Sequence, residues 1–244
     1  MGGVFVVVAS ASIAATPFKV DPAAAAAHKE KVLRRTGGYV TRQGKGYVAF
    51  VNKQSRVGGS ELVTVAEAIM KYAHMNYRVV DDELEVKDAA LVVRVLDEPG
   101  KPTLLVAPES WWAEVNVAGL AEGLVDDAAI KKFLPSRVRK EVMRAFVYAA
   151  GSGGSSFTGN ILDVIDVKDL DYLPESLPVD ALDMAIDHLC KRGVTQTEQV
   201  SYRIACREGW AAAPTNDLQK AVWDDVHALP TEPIKIKFDP KRDK

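Results

Sequence analysis

The chain has 244 residues, of which 48% are hydrophobic and 26% are charged, with a formal net charge of -2. This is the composition of an ordinary globular protein. Because the charge is nearly balanced and the one dense basic cluster is the terminal KRDK, the chain lacks a basic field for nucleic acid, which we exclude as a partner. The length exceeds the roughly 100 to 200 residues of a typical domain and predicts one large domain or two lobes.

The N-terminal segment GVFVVVASASIAATPF combines an apolar run with small residues. This pattern is typical of the hydrophobic core and cleavage site of a signal peptide, although the basic start is missing. We therefore predict a signal-peptide remnant at 1–15 and a secreted or periplasmic protein; a buried first strand is the alternative. The run is shorter than the about 20 residues that span a bilayer, so no integral membrane segment is expected in the mature chain. The alanine-rich segment 16–37 is predicted to be a linker or a loose helix.

Residues 38–152 are predicted to form an α+β subdomain. Alternating apolar residues predict strands on both sides of the Gly-Lys-Gly turn at 44–46 and further strands at 77–80, 89–96, 103–107 and 112–117. Ser60 is expected to cap a helix with one apolar stripe. A short helix at 126–133 is expected to end before Pro135, which would lie in the first turn of the next helix. The segment WAEVNVAGL at 112–120 is expected to be an edge-like strand.

Residues 153–244 are predicted to form a mainly helical C-terminal subdomain. Glycines and prolines separate its short helices, and the segment ends in the predicted strand IKIKF at 234–238. The predicted fold class is therefore α+β: a mixed β-sheet with packed helices, followed by a helical lobe.

The helix after Pro135 contains the pentad Lys140-Glu141-Val142-Met143-Arg144. In zinc peptidases the motif HExxH places two histidines on one helix face, where they hold a zinc ion whose water the glutamate activates. Here the glutamate is kept, but cations occupy both ligand positions and would repel a divalent ion. The same pentad is also a common charge pattern on surface helices, because i,i+3 and i,i+4 pairs stabilise a helix.

Together with KGYVAFVN, WAEVNVAGL and the glycine turn after the helix, the pentad resembles zincin-type peptidases, and most closely the archaemetzincin family, over about residues 46–154. The resemblance implies a zincin-like N-terminal half with an eroded zinc site. The family motif continues to HExxHxxGxxH, and Val147 and Ala150 do not match its later positions. It therefore implies no metal and no cofactor, with Lys140 and Arg144 as binding residues. We expect one or both of these cations to hold the Glu141 carboxylate and to lower its pKa.

Three functions remain open. The first is an exported peptidase-like protein that binds an extracellular polypeptide or glycoprotein. The second is a metal-independent, aspartic-type protease that acts through Glu141, Asp163 or Asp166, although the Asp-Thr-Gly and Asp-Ser-Gly turns of aspartic peptidases do not occur. The third is a non-catalytic periplasmic or surface structural module. The sequence does not decide whether the chain is an enzyme, but a zinc peptidase activity is not expected.

Two residue pairs complete the candidates. Trp111 and Trp112 are adjacent, so on a strand they would face opposite sides. An exposed tryptophan there would bind a peptide or a sugar ring, and packing against the helical lobe is the alternative. Cys190 and Cys206 are the two cysteines, an even count that fits one disulfide in an exported protein. Two buried free thiols are the alternative.

Overall fold

The computed structural model describes residues 21–54 and 56–228. In chain order the elements are α1 (Pro22–Thr36), β1 (Tyr39–Arg42), β2 (Val48–Asn52), α2 (Gly59–Ala73), β3 (Tyr77–Val80), β4 (Leu91–Leu96), β5 (Leu104–Ala107), β6 (Trp112–Asn116), α3 (Val117–Leu120), α4 (Asp127–Ala149), α5 (Val179–Lys191), β7 (Glu198–Ser201), α6 (Tyr202–Arg207) and α7 (Asp217–His227). The fold class is α+β, as the sequence predicts. The predicted signal-peptide remnant at 1–15 and the predicted strand at 234–238 lie outside the described residues.

The chain divides into two compact units. The larger unit is Thr41–Gln199, and the smaller unit consists, within the described residues, of 21–40 and 200–228. The predicted boundary at 152/153 falls inside the larger unit. The division into segments 1–15, 16–37, 38–152 and 153–244 stays a prediction.

The larger unit is built on a five-stranded mixed sheet with the order β3-β2-β4-β6-β5. Strands β3, β2, β4 and β6 run parallel to one another, and β5 pairs antiparallel with β6. All five strands lie where the alternating pattern predicts them. The expectation that the 112–117 strand lies at an edge is wrong, because β6 pairs on both sides and β5 forms the edge. Strand order depends on contacts between distant segments, which alternation within one segment does not encode.

Helices α2 and α4 pack against one face of the sheet and form the main core with it. The apolar stripe of α2, which includes Leu62 and Ile69, is buried as predicted. It meets inward-facing residues of the central strands such as Phe50 and Val93. A smaller apolar cluster covers part of the opposite face of the sheet. The interior strand β2 is therefore buried on both faces, which explains its continuous apolar run VAFV.

Helix α4 is one continuous helix of 23 residues, so the prediction of two helices meeting at Pro135 is wrong. A proline inside a helix removes one backbone hydrogen bond and crowds the carbonyl four residues earlier. Leu134 and Val138, on either side of the proline, are both buried in the core. Their burial stabilises both halves of the helix and offsets the loss at the proline.

After α4 the described chain is mainly helical, as predicted. Two 3-10 turns, Ile161–Asp163 and Val167–Asp171, precede α5. In the smaller unit, α1 occupies most of the predicted linker, and Tyr202, Cys206 and Val222 form a small core. None of the helices in residues 21–54 and 56–228 combines the length and the apolar character that crossing a bilayer demands.

Candidate functional site

Three charged residues of α4, Arg137, Lys140 and Glu141, are almost inaccessible to solvent. The helical repeat explains this placement, because the apolar stripe that begins at Leu134 recurs every three or four residues and passes through this part of the helix. Buried charges are costly without partners. The partners of these side chains therefore define what the site does.

Glu141 forms an ion pair with Arg144 inside the helix. The Glu141 side chain is 2% exposed, and its Oε2 accepts a hydrogen bond from Arg144 Nη1 at 2.7 Å. Burial raises the pKa of the Glu141 carboxyl above its ordinary value, and the Arg144 guanidinium opposes this effect without cancelling it. The predicted lowering of this pKa is therefore wrong, because desolvation outweighs one neighbouring cation.

Lys140 makes no ion pair with Glu141. Its Nζ instead donates a hydrogen bond to the carbonyl oxygen of Leu170 at 2.5 Å, and burial lowers the pKa of the Lys140 ammonium. Of the two cations expected to hold the Glu141 carboxylate, Arg144 does so and Lys140 does not. Residues adjacent on a helix do not face each other, whereas residues three apart do.

These side chains do not fit a zinc ion. Zinc is held by thiolates, neutral imidazoles and carboxylates. Lys140 and Arg144 are cations, and both are already engaged with protein oxygens. Within residues 21–54 and 56–228, no three His, Cys, Asp or Glu side chains come together in a group that could hold a metal ion. The described part of the chain therefore offers no donor set for the metal of the resembling family.

Arg137 is a buried cation that the sequence analysis missed. Its guanidinium forms a fork with both carboxylate oxygens of Asp171 at 2.7 Å and also donates to the carbonyl oxygen of Leu120 at 2.7 Å. The sequence does indicate its burial, because Arg137 lies three residues after Leu134 and therefore falls in the apolar stripe of the helix. A charge at such a position requires a buried partner.

Arg139 joins α4 to two other segments. It pairs with Glu61 on α2 and with Glu175 in the segment before α5. The hydrogen bonds that Arg139 donates to Glu175 and, to a smaller extent, to Glu61 raise the pKa of its guanidinium further above its already high value. The charged residues of α4 thus bind the helix to its surroundings, which is a structural role.

The predicted catalytic carboxylates Asp163 and Asp166 cap the two 3-10 turns. Asp163 Oδ2 accepts from the backbone N–H of Gly159 at 2.6 Å, and Asp166 Oδ1 accepts from the backbone N–H of Lys168 at 2.9 Å. No hydrogen bond joins these two exposed carboxylates to each other. Carboxylates that share a proton as an acid and base pair must lie within direct reach of each other. Their observed contacts are those of turn formation.

The two tryptophans are both half-buried. Trp111 is not on a strand: it ends the 3-10 turn Pro108–Ser110 with a φ of 58°, so the expected strand alternation does not apply to it. The guanidinium of Arg192 lies 4.6 Å from the centre of its ring. Trp112 begins β6, and the guanidinium of Arg94 lies 5.2 Å from its ring centre. Each ring is therefore covered by a cation of the larger unit.

The two cysteines are free thiols in this structure. Cys190 is exposed on α5, and Cys206 is buried on α6. Neither predicted arrangement is present in full, because no disulfide is formed and only one thiol is buried. Burial raises the pKa of the Cys206 thiol.

The outer edge of β5 is the second candidate feature. In an antiparallel pair, every second residue turns its N–H and C=O towards the partner strand, and the others turn theirs away. The backbone N–H of Asn116 donates to the carbonyl of Thr103 at 2.8 Å, so the alternation turns the backbone groups of Leu104 and Val106 outward. No backbone hydrogen bond from another element of the described chain reaches either residue. Among residues 21–54 and 56–228, no strand pairs with this edge.

The fold and the site define an α+β protein with a mixed five-stranded sheet, an open antiparallel edge and a long helix whose buried charges are internally paired. No protein-family model matches the chain, and no curated protein matches it either.

Three solved structures are similar to the chain. Archaemetzincin from Methanopyrus kandleri is 13% identical, with 59% of this chain and 96% of that chain covered and a TM-score of 0.45. A zinc-dependent peptidase from Methanocorpusculum labreanum is 17% identical, with 57% and 100% covered and a TM-score of 0.41. Archaemetzincin from Archaeoglobus fulgidus, complexed with malonate, is 14% identical, with 57% and 99% covered and a TM-score of 0.40. Archaemetzincins are also the family that the sequence resembles. Similarity at this level transfers neither activity nor ligands.

Proposed function

We propose that this chain is an exported peptidase-like protein with an eroded zinc site that binds a polypeptide and does not cleave it. The observation that carries the proposal is the edge of β5, where the outward backbone groups of Leu104 and Val106 have no backbone partner within the described part of the chain. An unpaired edge accepts an extended polypeptide as an additional strand through main-chain hydrogen bonds. Export, and the extracellular polypeptide or glycoprotein as partner, rest on the sequence pattern.

The length of the edge sets the strength of such binding. Two outward residues offer two N–H and two C=O groups, and each hydrogen bond contributes about 1 kcal/mol net. Main-chain pairing alone is therefore weak and tolerant of sequence. Leu105, whose side chain is 45% exposed, adds an apolar contact for one side chain of the bound strand.

The absence of cleavage is supported by the state of the α4 side chains. A general base must reach the proton that it abstracts. Glu141 is buried and paired with Arg144, and Lys140 and Arg144 are engaged with protein oxygens. Asp163 and Asp166 serve as turn caps. Each candidate catalytic group thus has a structural partner.

The binding proposal is tested with the variant Val106→Pro. Proline removes the outward N–H of residue 106 but none of the hydrogen bonds to β6, and prolines are tolerated at strand edges for this reason. Labelled casein is the probe, and fluorescence anisotropy measures its binding. We expect binding about tenfold weaker than in the Val106→Ala control, which loses the same side-chain packing and keeps the N–H. Equal binding by the two variants would overturn docking at β5.

The non-catalytic part of the proposal has a separate test. Casein and mucin are incubated with the protein between about pH 4 and 8, the range in which carboxylate pairs titrate, with and without a chelator. We expect no cleavage, and metal analysis of the purified protein is expected to show no stoichiometric zinc. Cleavage that continues in the presence of the chelator and increases in mild acid would favour the carboxylate-dependent protease. Tightly bound stoichiometric zinc would contradict the proposal that the zinc site is eroded.

The oligomeric state of the protein distinguishes the structural-module alternative from the binding protein. It requires a stable oligomer that buries Trp111 or Trp112, which are half-buried within the chain. Sedimentation analysis combined with tryptophan quenching measures both properties. A monomer with unchanged quenching at all concentrations favours the binding protein.

A further inference from the structure

Two aliphatic side chains of the larger unit are almost fully exposed. Val125 is 95% exposed and Ile165 is 97% exposed. Both are β-branched residues with apolar side chains, and full burial of either would be favourable. Isolated exposed aliphatic residues are common on protein surfaces. The surroundings of these two decide whether they form a binding surface.

The loops that carry these residues lie against each other. They enclose a groove of about 440 Å³ that is lined by Glu122, Gly123 and residues 165–168. A Cβ atom placed on Gly123 would lie 3.8 Å from the side chain of Lys168, so the two loops are in close contact. Ile165 therefore lines the groove, and Val125 lies two residues beyond the lining residue Gly123 in the chain.

The groove is held in place by Arg137. This buried side chain donates to the carbonyl oxygens of Leu120 and Glu122 in the first loop and to the carboxylate of Asp171 at the end of the second. Charge-assisted hydrogen bonds of this kind are strong and fix geometry. The surface is thus formed before any ligand arrives, which lowers the entropic cost of binding.

Two carboxylates, Glu122 and Asp166, and one cation, Lys168, line the groove, so the charge of its lining is net negative. Exposed carboxylates flank the two aliphatic residues in the chain: Glu122, Asp126, Asp127, Asp163 and Asp166. Lys168 is the one exposed cation among residues 122–127 and 163–168. Three of these carboxylates cap turns or helices, and that bonding leaves their negative charge in place. The field at the groove therefore attracts cations and repels anions.

We propose that this patch, defined by Ile165, the acidic groove that it lines and the neighbouring Val125, docks a basic polypeptide segment that carries a large aliphatic side chain. The aliphatic residues select an apolar anchor, and the acidic lining selects Lys and Arg around it. Anionic membranes and nucleic acids are disfavoured by the same charge. The patch does not include β5, so this inference goes beyond the proposed function and stands independently of it.

The test uses three labelled probe peptides in fluorescence anisotropy: one of alternating Lys and Leu, one of alternating Glu and Leu, and one of alternating Lys and Ser. We expect the first to bind and the other two to bind at least about tenfold more weakly. Binding of the first peptide should weaken as salt is raised from 0.05 to about 0.5 M, because exposed charges are then screened. Equal binding of the Glu-Leu peptide would overturn the proposal.

Variants locate the binding. Ile165→Ser and Val125→Ser remove exposed side chains and leave the core intact, and each is expected to weaken binding of the Lys-Leu peptide about tenfold. Leu84→Ser is the matched control, since Leu84 is 70% exposed on another part of the surface and should bind as the parent does. The peptide measurements are made in the Val106→Pro background, which weakens strand addition at β5 and so separates binding at the patch from binding at that edge.

Two results would overturn the assignment. One is unchanged binding by both serine variants. The other is self-association of the parent chain that Ile165→Ser abolishes in sedimentation, which would make a second copy of the chain the occupant.

Discussion

Glu141 depends on a single cation for its charge balance. The carboxylate is 2% exposed and Arg144 is 12% exposed, so the pair lies in a region of low polarity rather than on a solvated helix face. A buried ion pair is weak support for stability as a whole, but removing one partner leaves an uncompensated charge. We therefore expect replacement of Arg144 alone to destabilise the fold more than replacement of Glu141 and Arg144 together.

The variant Arg144→Ala tests this asymmetry. We expect it to lower the free energy of unfolding by about 3 to 5 kcal/mol, because Glu141 is left buried and unpaired. The double variant Glu141→Leu with Arg144→Ala should recover most of that loss, since neither charge remains. Urea denaturation measures both. Loss below about 1 kcal/mol for Arg144→Ala is the value of a solvated pair and would contradict burial.

Asp180 makes the loop after α4 sensitive to acid. The backbone N–H of Ser156, the hydroxyl of Ser155 and further donors hold the pKa of its carboxyl at about 2, below the ordinary 3.8. A depressed pKa in the folded state means that the folded state binds its proton less readily than the unfolded chain. The stabilisation is thus present above about pH 4 and is lost as the pH falls towards 2.

We therefore predict that Asp180→Asn reduces the acid sensitivity of folding. The parent chain should lose stability between pH 4 and 2 more steeply than this variant, as measured by urea midpoints at several pH values. Asp81→Asn, which removes an exposed carboxylate elsewhere, serves as the control. Parallel curves for the parent and Asp180→Asn in this range would show that the Ser156 and Ser155 bonds do not form in solution.

At the scale of elements, the sequence predicts what depends on local pattern. The five strands of the sheet and α2 follow directly from alternation and from a three-and-four repeat. The order of the strands and the partners of Arg137 and Lys140 do not, because residues 15 or more positions away supply them. Of the site, Glu141 and Arg144 were identified as a pair, whereas burial reversed the expected pKa shift of Glu141.

The proline in α4 provides a prediction at this scale. Replacing Pro135 by Ala restores a backbone hydrogen bond and relieves crowding, worth about 3 kcal/mol, and gives up about 1 kcal/mol of unfolded-state restriction. We expect Pro135→Ala to raise the free energy of unfolding by about 2 kcal/mol. Pro178→Ala is the control, because Pro178 precedes α5 and interrupts no helix. No gain in urea denaturation would mean that the helix has adapted fully to its proline.

At the scale of the whole molecule, hydrogen bonds join the first and the last segments of the larger unit. The backbone N–H of Lys45 donates to Thr195 Oγ1 at 2.7 Å, and the backbone N–H of Gly44 donates to Thr197 Oγ1 at 3.1 Å. These bonds join residues about 150 positions apart. Glycine and serine are concentrated at 151–156, where the sequence predicts a boundary at 152/153. Composition marks a flexible segment, but the partners of the buried charges decide what folds as one body.

The last prediction compares two fragments. Residues 41–199 contain the sheet, α4 and the partners of its buried cations, and we expect this fragment to unfold cooperatively on its own, as followed by circular dichroism and calorimetry. Residues 41–152 lack Asp171 and Leu170, so Arg137 and Lys140 would be left buried without their partners. Because each such loss costs several kcal/mol, comparable with the whole stability of a domain, the shorter fragment should show no cooperative transition. If the shorter fragment melts cooperatively at the same temperature as the longer one, the result would support the domain boundary predicted from the sequence at 152/153.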